Sequence, residues 1–188
     1  MKLSRRQTLI KISLIALFAA FIAVGTFIAI PLPFTPLPIV LQNFCAVMAG
    51  LVLGPWMGSL SVLLYLAAGA IGAPIFSGAS GGLTRFFGPT GGYLWGYLMS
   101  ALVAGLILGT PKPEQKIHIG RYIAATVLGF LVLYVPGVIQ MGIVLDLPLD
   151  KTLVAGFIPF IPGDILKGIA AVIIAPRLRR LVSDQIHG

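Results

Sequence analysis

The run "ISLIALFAAFIAVGTFIAI", residues 12–30, contains no charged side chain over 19 residues and follows the cations Lys2, Arg5, Arg6 and Lys11. A helix needs roughly 20 apolar residues to cross the hydrocarbon core of a bilayer. The apolar region of a signal peptide is shorter, at roughly 7 to 15 residues. We therefore expect residues 12–30 to form a retained membrane span.

The whole chain has the same apolar character. Of its 188 residues, 58% are hydrophobic and 10% are charged, and the mean hydropathy is +1.04. One water-soluble core could not bury this much apolar surface. We expect a single integral membrane domain, residues 1–188, in contact with the lipid of the cell membrane.

The net charge of +8 arises from cations that sit in short clusters beside apolar runs. This pattern is typical of the loops that face a membrane surface. A nucleic-acid interface needs a continuous basic face with polar and aromatic residues between the cations. The charge pattern therefore argues against a nucleic-acid partner.

Five further apolar runs follow the first, separated by segments rich in proline and glycine. The fold class that we predict is all-α, an integral membrane bundle of six transmembrane helices. The predicted spans are about 12–30, 37–53, 57–71, 91–109, 121–144 and 162–178.

The positions of the cations predict the orientation, because cytoplasmic loops collect Lys and Arg. With six spans, ten of the thirteen Lys and Arg residues fall on the side of the two termini. Arg85 and Lys151 fall on the other side, and Lys167 lies within a span. We expect both termini to be cytoplasmic and the irregular segments 72–90 and 145–161 to fold back over the outer face as a roof.

The segment "IPFIPGDILKG", residues 158–168, places an acid and a base three positions apart at the start of the last span. Asp164 and Lys167 would share one helix face, with Pro162 in the first turn. A charge inside a span costs at least about 2.5 to 3.5 kcal/mol. Either the two residues neutralise each other or Lys167 snorkels to the interface, or they anchor a small ligand, with Asp164 accepting from its N–H groups and Lys167 binding a carbonyl or carboxylate. We favour the anchor because the pair adjoins the predicted roof.

A glycine-rich segment, "SGASGGLTRFFGPTGGYLWGY" at residues 77–97, supplies the second group of candidates. An apolar pocket with a few fixed polar groups is typical of small-molecule sites. The alternatives are a solvated role for the arginine and an interfacial aromatic belt for the tyrosines and the tryptophan. The predicted polar contacts are Ser77, Ser80 and Arg85, and the predicted walls are Phe76, Phe86 and Tyr93.

Small residues stand four apart on the first helix, in the pairs Ala16 and Ala20, and Ala19 and Ala23. Small residues at this spacing let helices approach closely in lipid. They favour either internal packing or docking on another membrane subunit.

The sequence offers little for catalysis. It has no H-E-x-x-H motif, no G-x-x-x-x-G-K-[ST] phosphate loop and no second carboxylate in a span to pair with Asp164. We expect a protein that is not an enzyme, with no catalytic residues, no cofactor and no metal ligands. The polar residues Gln42, Asn43 and Gln140 form either interhelical hydrogen bonds or ligand contacts.

Four segments, "PLPFTPLPIVLQ", "LLYLAAGAIGAPIFSG", "GGLTRFFGPTGGYLWGY" and "GFIPFIPGDILK", resemble the BioY family, the biotin-binding S components of energy-coupling factor (ECF) vitamin transporters. The resemblance covers nearly the whole chain. It implies a six-helix membrane subunit that captures biotin from outside for ATP-driven uptake. The implied partners are biotin, a second transmembrane subunit and two cytoplasmic ATPases.

The resemblance also implies residue roles. Asp164 and Lys167 match the family's P-G-D-x-x-K motif and would hold polar atoms of biotin. Some relatives contact the ligand through an asparagine in the loop that matches 77–92; this sequence has none there, and Ser77 or Ser80 would replace it. Ala16 with Ala20, or Ala19 with Ala23, would meet the transmembrane partner. An autonomous facilitator and an S component for a different vitamin remain the alternatives.

Overall fold

The computed structural model describes residues 5–33, 35, 37–113 and 115–187. The described part of the chain is mostly helical, with one short antiparallel pair of strands. The elements in chain order are α1 (Arg5–Phe27), β1 (Ala29–Ile30), β2 (Ile39–Val40), α2 (Gln42–Ala70), a 3₁₀ turn (Leu83–Phe87), α3 (Gly91–Leu108), α4 (Ile119–Leu145), α5 (Leu149–Gly156), a second 3₁₀ turn (Ile158–Phe160) and α6 (Ile161–His187).

Five helical stretches of the described chain are long and apolar enough to cross a membrane. Four are α1 to α4, and the fifth is the stretch Leu149–His187 that contains α5 and α6. Many of their large apolar side chains, such as Leu17, Trp56 and Ile173, are exposed on the surface of the bundle. This is the architecture of a multi-pass membrane protein.

The predicted spans 37–53 and 57–71 form one helical run, α2, that reverses direction in its middle. Gly54 has non-helical backbone angles (φ 81°, ψ −177°) and precedes Pro55. The amide of Gln42 donates to the hydroxyl of Tyr65, although an unbroken helix would separate them by about 35 Å. Gly54 tolerates a positive φ and Pro55 lacks an N–H, so the chain turns back here.

The ends of several predicted helices were wrong. Residues 29–30 and 39–40 pair as β1 and β2 instead of continuing helices, in register Ala29 with Val40. Pro31 explains the first of these, because the residue before it, Ile30, is driven out of the helical region. The all-α prediction therefore needs this one small exception.

The segment 145–161, expected to be irregular, contains α5 and a 3₁₀ turn and leads directly into α6. Asp146 ends α4 in a left-handed conformation (φ 51°), which commonly terminates a helix. The segment 72–90 is irregular as expected, apart from its 3₁₀ turn. Helix α1 begins at Arg5, before the predicted start, and α6 ends at His187, after the predicted end. A helix can continue beyond the hydrocarbon layer with charged residues in its outer turns.

Helices α2, α3 and α4 form the core by close backbone approach. A Cβ atom added at Gly50 would collide with the carbonyl of Ala101, and one added at Gly96 would collide with the carbonyl of Leu133. Small residues at such crossings let helices approach closely when no hydrophobic effect drives them together in lipid. The positions of all three helices therefore depend on glycine at these crossings.

Arg179 stabilises the bundle at the C-terminal end of α3. Only 4% of its surface is exposed, and no described carboxylate lies within ion-pair distance. Its guanidinium instead donates to Leu51 O (2.9 Å), Leu108 O (3.2 Å) and Gly109 O (2.7 Å). The last carbonyls of a helix lack partners and carry partial negative charge, so one arginine caps α3 and the first half of α2.

We expect Gly96→Ala to lower the free energy of unfolding by about 1 to 3 kcal/mol, because the methyl group pushes α3 away from α4. Gly168→Ala is the matched control, since its Cβ would make an ordinary 3.6 Å contact with Thr126. Thermal denaturation of the purified protein in detergent measures both. Equal melting temperatures would contradict the role of this crossing.

We expect Arg179→Met to destabilise the protein by roughly 3 kcal/mol, because it leaves buried carbonyls without their charged donor. Arg179→Lys recovers part of this loss, since lysine can still reach one or two of the carbonyls. Arg177→Met, at an exposed position of the same helix, provides the control in the same denaturation experiment. A loss of stability no greater than that of the control would contradict the capping role of Arg179.

Candidate functional site

The site begins with the acid and the base of the last helix. Asp164 lies in the first turn of α6, and its Oδ1 atom is 2.8 Å from Nζ of Lys167. Their side chains are 9% and 12% exposed. The spacing of three residues places both on one face of the helix, as the sequence predicts.

Two residues from other helices complete the network. Asn43, at the start of α2, donates to Asp164 Oδ1 (2.9 Å) and accepts from Lys167 Nζ (2.8 Å). The hydroxyl of Tyr134, on α4, donates to Asp164 Oδ2. Lys167 also donates to Val40 O in β2 (3.0 Å). The pair therefore joins α2, α4, α6 and the strand pair.

Counting donors and acceptors shows how much capacity is left. The three N–H groups of Lys167 are all used, by Val40, Asn43 and Asp164. The Asn43 carbonyl accepts from Lys167 and from Phe44 N. Asp164 accepts three hydrogen bonds, and a carboxylate offers about four acceptor positions. A ligand oxygen could bind Lys167 only by replacing one of its present partners.

A cavity lies beside this network. Its volume is about 60 Å³. Ligand sites commonly measure about 300 to 1,000 Å³, so the cavity in this structure is narrower than a typical ligand site. Its polar lining is Gln42, Asn43, Ser77, Ser80, Arg85, Thr90 and Lys167, and its aromatic lining is Phe76, Tyr93, Tyr97, Tyr134 and Phe160.

Most of the residues predicted from the sequence meet at this cavity. Phe76, Ser77, Ser80, Arg85 and Tyr93 all line it. They come from the segment 72–90 and the start of α3, while Phe160 comes from the segment 145–161. Both segments that were expected to form a roof therefore contribute walls.

Two predicted residues lie behind the walls. Phe86 is buried against Phe76, with ring centroids 5.6 Å apart. Asp164 borders an apolar groove between α4 and α6. Its hydrogen-bond partners Lys167, Asn43 and Tyr134 line the cavity, whereas Asp164 does not. Phe86 therefore supports a wall, and Asp164 orients the groups that line the cavity.

The positions of the aromatic residues on α3 decide between an interfacial belt and a role inside the bundle. Tyr93 and Tyr97 are buried, and the hydroxyl of Tyr93 donates to Gly156 O (2.9 Å). Only Trp95 of this group is exposed. The two tyrosines are therefore part of the bundle interior, while Trp95 faces outward.

The structure gives each of the three polar span residues, Gln42, Gln140 and Asn43, a different hydrogen-bond partner. Gln42 bonds Tyr65 across the bend in α2. Gln140 donates to Phe86 O (2.7 Å) and Gly88 O (2.9 Å), which ties the segment 72–90 to α4. Asn43 is the one that belongs to the Asp164 network.

Sequence reasoning did not identify Tyr134 as part of the site. Asn43 carried a signal, since an amide within an apolar run usually bonds another helix or a ligand. Tyr134 carried none, because aromatic residues are common in such runs. Only the crossing of α4 over α6 brings its hydroxyl to Asp164.

The small residues of α1 lie on two faces. Ala16 and Ala20 are exposed, while Ala19 is buried and Ala23 is half-buried. Ala19 therefore takes part in internal packing. Ala16 and Ala20 leave a shallow stripe on the outside of the helix.

We expect Lys167→Met to destabilise the protein by about 3 kcal/mol, because it leaves a buried carboxylate without its cation. The double variant Asp164→Asn/Lys167→Met removes both charges and should lose less than the sum of the two single variants. Denaturation of all three in the absence of ligand measures the coupling. Strictly additive losses would contradict a charge pair that is buried and coupled.

The chain matches known proteins along nearly its full length. A model of the BioY family matches residues 1–184. The "Probable biotin transporter BioY" of Pyrococcus horikoshii is 41% identical over 169 residues, which cover 90% of this chain and 96% of that protein. The "Biotin transporter BioY" of Thermotoga maritima is 38% identical, with coverage of 90% and 95%.

A solved structure agrees with this result. The crystal structure of the S-component for biotin from an ECF-type ABC transporter superposes with a TM-score of 0.84 at 32% identity and covers 95% of each chain. The resemblance that the sequence motifs predict is therefore confirmed over the whole fold. The chain belongs to the BioY family.

Proposed function

We propose that this chain is the substrate-binding membrane subunit of an ECF-type transporter and that it captures biotin from the outer face for ATP-driven uptake. The observation that carries the proposal is the cavity beside Lys167 and Asn43, in a chain whose relatives are named as biotin transporters. The named solved structure, an S-component for biotin, supports the same substrate.

The chemistry of biotin suits the cavity. Its fused rings are largely apolar, and they carry two ureido N–H donors and one carbonyl acceptor, while a carboxylate ends the side chain. Lys167 offers a cation for an oxygen, and Asp164 orients Lys167, Asn43 and Tyr134, which face the ligand. Phe76, Tyr93 and Tyr97 offer apolar walls.

Binding in this proposal requires an exchange of partners. Because all three donors of Lys167 are engaged, a ligand oxygen must replace one acceptor. The bond to Val40 O is the one that does not belong to the polar network of the helices. We propose that the ligand takes this position and thereby releases β2 from Lys167.

The membrane topology is part of the proposal. The two halves of α2 each cross the membrane, so that six segments span it and both termini are cytoplasmic, within a single domain in the cell membrane. The charge distribution supports this orientation: Arg85 lines the cavity, whereas Lys112, Lys116 and Arg180 lie at the opposite end of the bundle. The cavity then opens toward the outside.

The proposed partners are a transmembrane coupling subunit and two cytoplasmic ATPases. The sequence contains no phosphate-binding loop, so ATP hydrolysis must be supplied by other chains. The exposed stripe of Ala16 and Ala20 lies among the exposed apolar side chains of Leu17, Phe21 and Val24. This face of α1 is our candidate for the contact with the coupling subunit, and the chain itself is not an enzyme.

Calorimetric titration of the purified protein with biotin tests the function, with riboflavin and thiamine as control ligands. We expect Lys167→Met and Asp164→Asn each to weaken binding by about tenfold to a hundredfold, since a hydrogen bond to a charged group contributes roughly 1.5 to 3 kcal/mol. Lys151→Met, at an exposed cation outside the cavity lining, should bind like the wild type.

Two results would reject this assignment. Unchanged affinity in both site variants would remove Asp164 and Lys167 from the binding site, and binding of a control vitamin in place of biotin would reassign the substrate. Proteoliposomes that contain the chain alone should show no uptake against a gradient. Biotin equilibration by the chain alone would favour an autonomous facilitator.

A further inference from the structure

A second cleft lies at the end of the bundle opposite the cavity, between the α3–α4 loop and the last turns of α6. Its volume is about 720 Å³. The proposed biotin site does not use this cleft. Its lining includes Lys112, Lys116, Tyr122, Arg179, Arg180 and Ser183.

The cleft is strongly basic. Lys112, Lys116 and Arg180 are exposed, and none of them forms an ion pair with a described residue. Asp184 is the only acid in the described lining, so four cations and one anion leave a charge of +3. Counting Glu114 of the same loop, whose placement is not described, still leaves +2.

A buried serine, with a hydroxyl group unpaired within the described part of the chain, also borders the cleft. Ser183 is 3% exposed, and its Oγ atom has no hydrogen-bond partner among the described residues. A buried hydroxyl is normally satisfied by protein or by a bound species, because leaving it unpaired is costly. Cations that serve only to set membrane topology need neither a cleft nor such a group.

We propose that this cleft binds a phosphate group, carried either by the headgroup of an anionic phospholipid or by a soluble phosphate. Two lysines and an arginine supply the charge that phosphate oxygens prefer, and the Ser183 hydroxyl supplies a neutral donor. Basic pockets at the ends of membrane helices are suited to anionic headgroups. The apolar side chains of Ile117 and Pro176 in the same lining suit the glycerol and acyl part of a lipid.

The lipid arm of the test uses the full chain in nanodiscs of phosphatidylcholine with or without phosphatidylglycerol, followed by native mass spectrometry. We expect the wild type to retain phosphatidylglycerol. The variant Lys112→Gln/Lys116→Gln/Arg180→Gln should bind it on the order of a hundredfold more weakly, since each cation near the surface contributes about fivefold.

The matched control is Arg5→Gln/Arg6→Gln/Lys11→Gln, which removes the same charge from the start of α1. This helix begins at the same end of the bundle, because its last turn lies beside Gln42 at the cavity end. The control should retain the lipid. Equal losses in both triple variants would mean general surface attraction and would overturn the proposal.

The soluble arm titrates inorganic phosphate into the chain in phosphatidylcholine nanodiscs and follows the heat of binding. Binding that the cleft variant loses and the control keeps would support the cleft with a soluble phosphate as its ligand. Absence of binding in both arms would overturn it.

A second variant tests the cleft by shape instead of charge. Ser183→Leu fills the space beside the hydroxyl and leaves the net charge unchanged, and its melting temperature reports whether it folds. A folded Ser183→Leu protein should lose the bound phosphate group. Full retention by this protein would contradict binding inside the cleft.

Discussion

The buried pair of Asp164 and Lys167 constrains much of the structure, because neither charge can remain unpaired inside an apolar layer. Each must be surrounded by hydrogen-bonding groups, and one helix cannot provide them all. Asn43 comes from α2, Tyr134 from α4 and Val40 from the strand pair. The requirement to satisfy two charges therefore determines which faces of these elements meet, and the walls of the cavity follow from that meeting.

The opposite end of the bundle meets the same requirement with different groups. Arg179 has no described carboxylate partner, and helix carbonyls surround it instead. Partial charges at helix ends can stabilise a cation in this way. One end thus holds a charge pair with little spare bonding capacity beside a cavity, and the other holds a capped arginine beside a wide basic cleft.

The long membrane helices could be predicted from composition, whereas the bends and short segments between them could be predicted less well. Long apolar runs could only be membrane helices, because lipid leaves every backbone polar group to be satisfied within the chain. The break at Gly54 and Pro55 was visible as turn residues, yet the bonding of Gln42 to Tyr65 across it was not. The strand pair of residues 29–30 and 39–40 and helix α5 were missed, since proline-rich and short amphipathic segments have several conformations of similar energy.

The sequence by itself determined that this is a membrane protein and that Asp164 and Lys167 share one helix face, because hydropathy and helical periodicity are local properties. Only the tertiary structure decided which partners complete the site. Asn43 lies 121 positions before Asp164, and Tyr134 lies 30 positions before it. Glycines at the helix crossings let α2, α3 and α4 approach closely, and α6 packs against α2 and α4 with Asp164 between them. Such contacts depend on packing between helices that no local pattern records.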